Sequence, residues 1–289
     1  MPFTLSHPAA VLPLLRHPFS PAALVCGAVA PDVPYFLVAA RIPVSAQSWY
    51  EPFLNATSSH TLSGVTVAVP LALALLALYR LVRPPAVALL PARFSPDGPA
   101  DRGRQGFRPR RTGWVLLSAL TGVLTHLLWD SFTHADGYAV TQLSVLRAHL
   151  TEDLTVARVV QHLSTAGGLI AVAAHLWRRP RQLRRAPARD ARRTVLPATA
   201  RRGIRAAPAV AALVGAVANT QSLEEYRGGP AAADRIPTRQ MVEAVLSDTV
   251  TGAGAALACA LVLYAAAWWA YRTIRPAVPY DDVRVHQSS

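Results

Sequence analysis

His126 and Asp130 stand four residues apart in the stretch H126-L-L-W-D-S-F-T-H134. On an α-helix that spacing puts both side chains on one face, about one turn apart. An imidazole and a carboxylate so placed can share one metal ion, as the two histidines of an H-E-x-x-H helix do. His134, four residues further on, continues the stripe. Three residues of the same kind lie in the first sixty: His7 in S6-H7-P8, Asp32 in A30-P-D-V-P34, and His60 in S58-S-H-T-L-S. Nitrogen and oxygen donors without thiolate suit zinc, and also manganese or iron. More than four candidates leave room for a two-metal site, in which paired ions bind a water and a phosphoryl oxygen.

Each candidate also has a plainer reading. His126 and Asp130 would form a hydrogen-bonded pair that stabilises a helix bundle. His7 would cap the helix that starts at Pro8, where free N–H groups need partners. His60 would sit at a membrane surface, with its neighbouring Ser and Thr capping the next helix. Asp32 would be protonated, its pKa raised by burial. Gln161, His162 and Ser164 are candidates for contacts behind the ligands or with substrate, with polar helix packing as the other reading. His149, His175 and His286 fall outside the pattern. Glu224 and Glu225 read as solvated loop charges, and N55-A-T57 as a short glycosylation sequon of little weight. The chain has no P-loop, no G-x-G-x-x-G, no G-x-S-x-G and no H-E-x-x-H. Cys26 and Cys259 are the two cysteines, far apart in apolar runs; they read as small buried hydrophobes rather than a disulfide or a CxxC site.

The elements that must position these groups are apolar. Over 289 residues, 52% are hydrophobic. A transmembrane helix needs roughly 20 mostly apolar residues. Residues 62–82, 113–129, 159–177 and 246–271 fit, and 206–223 is the weakest of five such runs. Gly252-x-Gly254 and frequent alanines suit close packing in lipid. In the first sixty residues, 8–16 predicts a short helix with Pro8 in its first turn. The run 19–40 is apolar enough to span but is interrupted at A30-P-D-V-P34. Irregular backbone at membrane depth needs a protein or water-lined setting. This region therefore predicts two short helices, re-entrant or interfacial, with Asp32 at the break. The opening M1-P-F-T-L-S-H lacks the basic region of a standard signal peptide.

The net charge is +13, and all the basic side chains other than histidine are arginines. Seven arginines fall in 83–111 and eleven in 178–205, with Arg272 and Arg275 after the last run. Arginine-rich loops stay in the cytoplasm, so these counts explain the charge without nucleic acid, for which no recognition pattern is present. The loops 130–158 and 224–245 are poor in arginine and hold eight of the sixteen acids. Alternation of the five runs then puts the C-terminus in the cytoplasm. It also brings His60, His126, Asp130 and His162 to the extracytoplasmic face. The basic loops, notably 97–104 and 184–199, read as irregular or disordered.

M1-P-F-T-L-S-H-P-A-A, G27-A-V-A-P-D, S59-H-T-L, T125-H-L-L-W-D-S-F-T-H and Q161-H-L-S-T resemble an uncharacterised bacterial membrane family, domain of unknown function 4184. The resemblance covers most of the chain. The G-x-x-x-P-D, S-H-S/T and H-x-x-x-D elements are also similar to those of membrane-bound metal-dependent hydrolases. More distantly they resemble the all-helical zinc-dependent phospholipase C group, which holds a metal cluster with His and Asp, including an H-x-x-x-D pair. Carried over residue by residue, this similarity implies His7, Asp32, His60, His126 and Asp130 as ligands, with His134 as a sixth candidate. The chain lacks an evident H-x-x-x-E pair and a mature N-terminal tryptophan, so one or two ions are expected rather than three.

The expectation is an all-α protein: a polytopic integral membrane helical bundle of about five transmembrane helices plus short N-terminal helices. Residues 1–289 form one helical membrane domain. Within it, 1–60 carries half of the candidate ligands, and 83–112 and 178–205 are basic cytoplasmic loops. The leading function is a membrane-bound metal-dependent hydrolase of the bacterial cytoplasmic membrane. It would act on an ester or phosphodiester of membrane lipid, with one or two divalent ions, zinc first. The alternatives are a non-enzymatic scaffold or permease with a structural His–Asp cluster, for which no internal repeats are evident, and a degenerate hydrolase that binds metal without turnover.

Overall fold

The computed structural model describes residues 4–42, 60–61, 63–89, 109–152, 154–183, 198–219 and 238–274. The chain begins with a 3-10 turn at Thr4–Ser6 and the short helix α1, Pro8–Val11. A second 3-10 turn follows at Leu12–Leu14, then helix α2, Pro21–Val29. A third 3-10 turn, Ala30–Asp32, leads directly into α3, Val33–Ala39. Each of these helices and the third turn has a proline in its first two positions. The proline nitrogen is tolerated there because the first N–H groups of a helix have no intrahelical partner. A30-P-D-V-P34 is therefore a tight 3-10 joint between two short helices.

The long elements follow. They are α4, Val65–Leu89, and α5, Pro109–Thr133. Two short helices, α6 at Tyr138–Gln142 and α7 at Ser144–Arg147, precede a small hairpin of β1, His149–Thr151, and β2, Leu154–Thr155. Then come α8, Val156–Leu183, α9, Ala198–Ala218, and α10, Thr238–Ile274. Among the described residues the fold is all-α apart from that hairpin.

Five helices are long and apolar enough to cross a membrane: Pro21–Ala39, Val65–Leu89, Arg110–Gln142, Val156–Arg178 and Met241–Ile274. The expected run 206–223 contributes only a shorter apolar stretch, Ala206–Ala218. Its helix begins among arginines and has ended by Asn219. The helices also run into the arginine-rich segments read as loops: 83–89 belongs to α4, 109–112 to α5, 178–183 to α8 and 198–205 to α9. Arginine is a good helix former, which suits the extensions at the start of α5 and of α9; α4 instead continues through Pro84 and Pro85. Residues 97–104, most of 184–199, Glu224, Glu225 and the sequon at 55–57 lie outside the described residues.

The N-terminal segment folds as a hairpin against α5. His7 lies beside Asp130, whereas Phe19 packs edge-on against Trp114 at 5.7 Å. From Ser20, whose N–H donates to Ser118 Oγ at 2.9 Å, the chain climbs back. Gly27 lies against Ala119 and Gly122, Ala28 reaches His126, and Asp32 reaches His126 too. Residues 114 to 130 of a helix span about 24 Å, so the chain descends and returns over that depth. The returning arm, Pro21–Ala39, is itself long and apolar enough to cross a membrane, whereas the sequence predicts two short re-entrant or interfacial helices.

Small residues make the contact close. A Cβ on Gly27 would overlap the carbonyl oxygen of Ala119, and one on Gly122 that of Leu24. Beside this crossing, Ala30, Ala68, Ala72, Ala119 and Val123 form the largest buried cluster, joining α4 to α5 and the Ala30–Asp32 turn. In lipid, tight van der Waals fit of this kind replaces the hydrophobic driving force. α9 and α10 form a second antiparallel pair. Gly215 lies against Gly252, and Asn219 Nδ2 donates to Asp248 O at 2.9 Å.

Candidate metal centre

α5 contributes the i, i+4 stripe as expected. His126 and Asp130 lie on one helix face, and His134 N–H donates to Asp130 O at 3.0 Å, carrying the helical repeat one residue past Thr133. Asp32 comes from the 3-10 joint and is the N-terminal flank of α3, yet its carboxylate makes no cap hydrogen bond. His7 holds the corresponding place before α1 and likewise makes no cap hydrogen bond. Its expected capping role is replaced: the ring stacks on His126, with centroids 3.8 Å apart and planes at 22°. Capping near His60 falls to Thr61, whose Oγ1 accepts from Gly64 N–H at 3.0 Å. That turn presents the His60 ring inward.

The carboxylates of Asp32 and Asp130 both approach the His60–His126 pair. His60 Nε2 is 3.1 Å from Asp32 Oδ1 and 3.6 Å from Asp130 Oδ2. His126 Nε2 is 3.1 Å from Asp130 Oδ2, 3.7 Å from Asp32 Oδ1 and 3.4 Å from His60 Nε2. A tetrahedron with zinc–nitrogen and zinc–oxygen bonds of the usual length has edges of about 3.3–3.6 Å. The three separations within His60–His126–Asp130, 3.1–3.6 Å, are close to three such edges.

The tautomer of His126 agrees. Its Nδ1 is 2.8 Å from the carbonyl oxygen of Ala28, which can only accept, so Nδ1 carries the proton. Nε2 is then left to face the two carboxylates. Metal-ligating histidines are held in this way by a second hydrogen bond to a carbonyl or carboxylate.

The carboxylates themselves are 3% and 7% exposed, at Asp32 and Asp130. Among the described residues, the ion-pair partners of both are histidines. Asp32 Oδ2, both oxygens of Asp130, both nitrogens of His7 and Nδ1 of His134 are buried without a hydrogen-bond partner. A buried polar group without a partner is costly. Close approach without hydrogen-bond alignment is what results when lone pairs aim at a shared centre rather than at one another. Two overlapping groups, His7–Asp32–His126 and His60–His126–Asp130, have donor atoms close enough to hold an ion. Burial, with the neighbouring His126, pushes the His7 pKa down to about 4 against the opposing pull of Asp130 and Asp32. The imidazole is thus neutral at neutral pH, as a ligand must be.

All six expected residues are therefore brought together, drawn from four separate parts of the chain. The trio at the head of α8 is not part of the cluster. His162 Nε2 lies 3.5 Å from Glu243 Oε1, and Arg158 bridges Gln161 and Glu243. These contacts tie α8 to α10. Ser164 Oγ accepts from Trp129 Nε1 at 3.3 Å.

Two contributors escaped the sequence reading. One is the Ala28 carbonyl, which has no side-chain signature. The other is Trp129, whose ring meets His7 edge-on at 5.8 Å. Its position three residues after His126 was the available signal. Tyr35, with its ring 5.8 Å from that of His60, lies at the partly exposed side of the cluster. There the His60 and His134 side chains are 18% and 26% exposed.

Residues 1–266 match the family described as Domain of unknown function (DUF4184). The chain belongs to this family. No curated protein and no solved structure matches it. The family description assigns no activity to this DUF4184 member.

Proposed function

We propose that this DUF4184 protein is a membrane-bound hydrolase. It holds a divalent ion, zinc by its donor set, at Asp32, His60, His126 and Asp130, and cleaves an ester or phosphodiester of membrane lipid. The observation that supports this reading most is the close set of separations among His60, His126 and Asp130, 3.1–3.6 Å, reached without hydrogen-bond alignment at Asp130. Two buried carboxylates carry charge that a divalent ion balances. Cys26 and Cys259, the thiols of the chain, are absent from the cluster, which favours nitrogen and oxygen chemistry.

When bound, the ion would lower the pKa of a water and polarise the scissile phosphoryl or carbonyl group. The chain supplies the rest. Ala28 O and the α5 backbone fix His126 and Asp130, so ligand geometry is set before substrate arrives. Substrate would approach from the His60–His134 side. Water oxygen bonds to phosphorus or carbonyl carbon, the ester bond to the leaving oxygen breaks, and a cluster imidazole or carboxylate relays one water proton to that oxygen. With the arginine-rich segments in the cytoplasm, the cluster faces the outer side of a bacterial cytoplasmic membrane.

The test is metal content of the protein purified in detergent, beside a His126→Ala/Asp130→Ala double variant. The expected result is one to two equivalents of zinc or manganese in the native protein and loss of them in the variant. Hydrolysis of chromogenic phosphodiesters and carboxylic esters should then follow metal content. Absence of metal from native protein after loading, with both proteins equally folded, would leave a structural His–Asp cluster instead.

A further inference from the structure

The segment that joins α5 to α8 has apolar side chains both inside and outside. Inside, Ala139, Val140 and Leu146 pack with Ala157 of α8. Outside, Tyr138, Leu143, Val145 and Leu150 are 76%, 45%, 63% and 58% exposed. The first set explains why the segment folds on itself. The second set, four large apolar side chains within thirteen residues, is not explained by packing inside this chain.

Two helices fix the depth of this segment. On α8, Arg158 and Arg178 are twenty residues apart. Twenty helical residues span about 30 Å, the thickness of a bilayer's hydrocarbon core. On α5 the same interval counted from Arg111 ends at Ser131, in the last turn of the helix. Arginines mark the edges of a span because charge is costly within it. Both helices therefore reach the same membrane boundary within a few residues of the joining segment. The segment is also tied down at both ends. A Cβ on Gly137 would overlap the carbonyl oxygens of Ser131 and Asp130, so the chain doubles back against the last turn of α5. Val156 N–H donates to Ala148 O at 3.0 Å, which holds the end of α7 at the head of α8.

We infer that residues 138–151 lie in the plane of the membrane, with Tyr138, Leu143, Val145 and Leu150 in the headgroup–acyl boundary of the leaflet on the cluster side. An in-plane segment gains by burying its apolar side chains there while its polar ones stay among headgroups and water. Tyr138 and the exposed Arg147 are residue types that anchor at this level, apolar body inward and polar end outward. The cluster shares the level. Gly137 N–H donates to His134 O at 2.9 Å, and the His134 side chain is 26% exposed. On the hydrolase reading above, which this consequence rests on, the open side of the cluster meets the ester and phosphodiester bonds of glycerophospholipids at their own depth. Substrate then enters sideways from the leaflet rather than from solution.

The experiment measures depth, independently of metal. Full-length protein with Cys26→Ser and Cys259→Ser receives a single cysteine, Val145→Cys or Leu150→Cys, both at exposed positions. Each is labelled with an environment-sensitive fluorophore in nanodiscs of phosphatidylcholine and phosphatidylglycerol. Quenching by iodide should be at least about threefold weaker than for labelled glutathione. Lipids with a nitroxide near the carbonyl end of the acyl chain should quench more than lipids with one near the methyl end. Full iodide quenching with no nitroxide effect would make the segment an aqueous loop. Shielding from iodide and nitroxide alike would mean that protein, such as a second copy of this chain, covers it. Stronger quenching by the deep nitroxide would mean insertion across the leaflet. Each of these three results overturns the inference. Zinc content of the same labelled protein separates the two readings. Shallow labels on protein that binds no zinc would sink the hydrolase and keep the placement, and wet labels on zinc-bound protein would do the reverse.

Discussion

His7 shows how far the environment can set the chemistry of one side chain. The ring is buried between His126 and Trp129, and its pKa is pushed down to about 4 from 6.5, chiefly by burial. In the unfolded chain it would take up a proton as pH falls below 6.5; in the folded chain it resists until about 4. Between those values the unfolded state binds more protons, so stability must fall as pH falls. The contribution is complete above pH 6.5 and is lost progressively on the way to pH 4. Thermal unfolding of EDTA-treated protein should therefore show a steeper drop in Tm over this window for native protein than for His7→Gln, which cannot titrate. Parallel curves would mean that His7 is not buried as described. The sequence marked His7 as a candidate through its place beside Pro8, but its partners on α5 lie more than a hundred positions away and had no local signal.

At the scale of elements, the crossing of α2 with α5 sets the geometry of the centre. Gly27 and Gly122 allow backbone-to-backbone contact one residue before Ala28 and one turn before His126. Gly122→Ala would place a methyl group against the Leu24 carbonyl and the Gly27 Cα, neither of which can rotate away. Overpacking of this sort costs about 1–3 kcal/mol. It should also lengthen the His126–Ala28 hydrogen bond and part His126 from Asp32. The expected outcome is a lower Tm and a metal affinity reduced by at least about tenfold, the equivalent of roughly 1.4 kcal/mol. Gly113→Ala, on the same helix with open space at its Cβ, should change neither. Equal metal affinity in both variants would show that the crossing does not govern the site. Periodicity and apolar length were enough to read α4, α5, α8 and α10. They were not enough to show that 206–218 stays short, or that the proline-rich stretch at 30–34 remains helical.

For the whole molecule, the question is which side of the membrane the cluster faces. The arginine-rich segments carry eighteen of the basic side chains, seven in 83–111 and eleven in 178–205. Arg110 and Arg111 lie at the far end of α5 from the cluster, since α5 begins at Pro109 and the cluster is built at His126 and beyond. If those segments are cytoplasmic, an exposed residue just past His134 is extracytoplasmic. Asp136→Cys, in a chain with Cys26→Ser and Cys259→Ser, should react in intact cells with a membrane-impermeant thiol reagent. A cysteine replacing Arg110, exposed at the other end of α5, should react only after lysis. The reverse pattern would place the centre on the cytoplasmic side and remove the extracytoplasmic part of the proposal.

The sequence by itself determined the class of the molecule and the donor types. Apolar runs long enough for a bilayer admit little besides helices, because lipid offers backbone groups no partner. An H-x-x-x-D-x-x-x-H stripe can only fall on one helix face. Tertiary structure alone decided that His7, Asp32 and His60 reach that face, that Ala28 O fixes the His126 tautomer, and that Asp130 serves two sets of nitrogens. Those are contacts across 28 to 123 positions of chain, made by helices whose approach depends on missing Cβ atoms at Gly27 and Gly122. Local spacing cannot encode such a distance, because it is set by how closely two backbones pack.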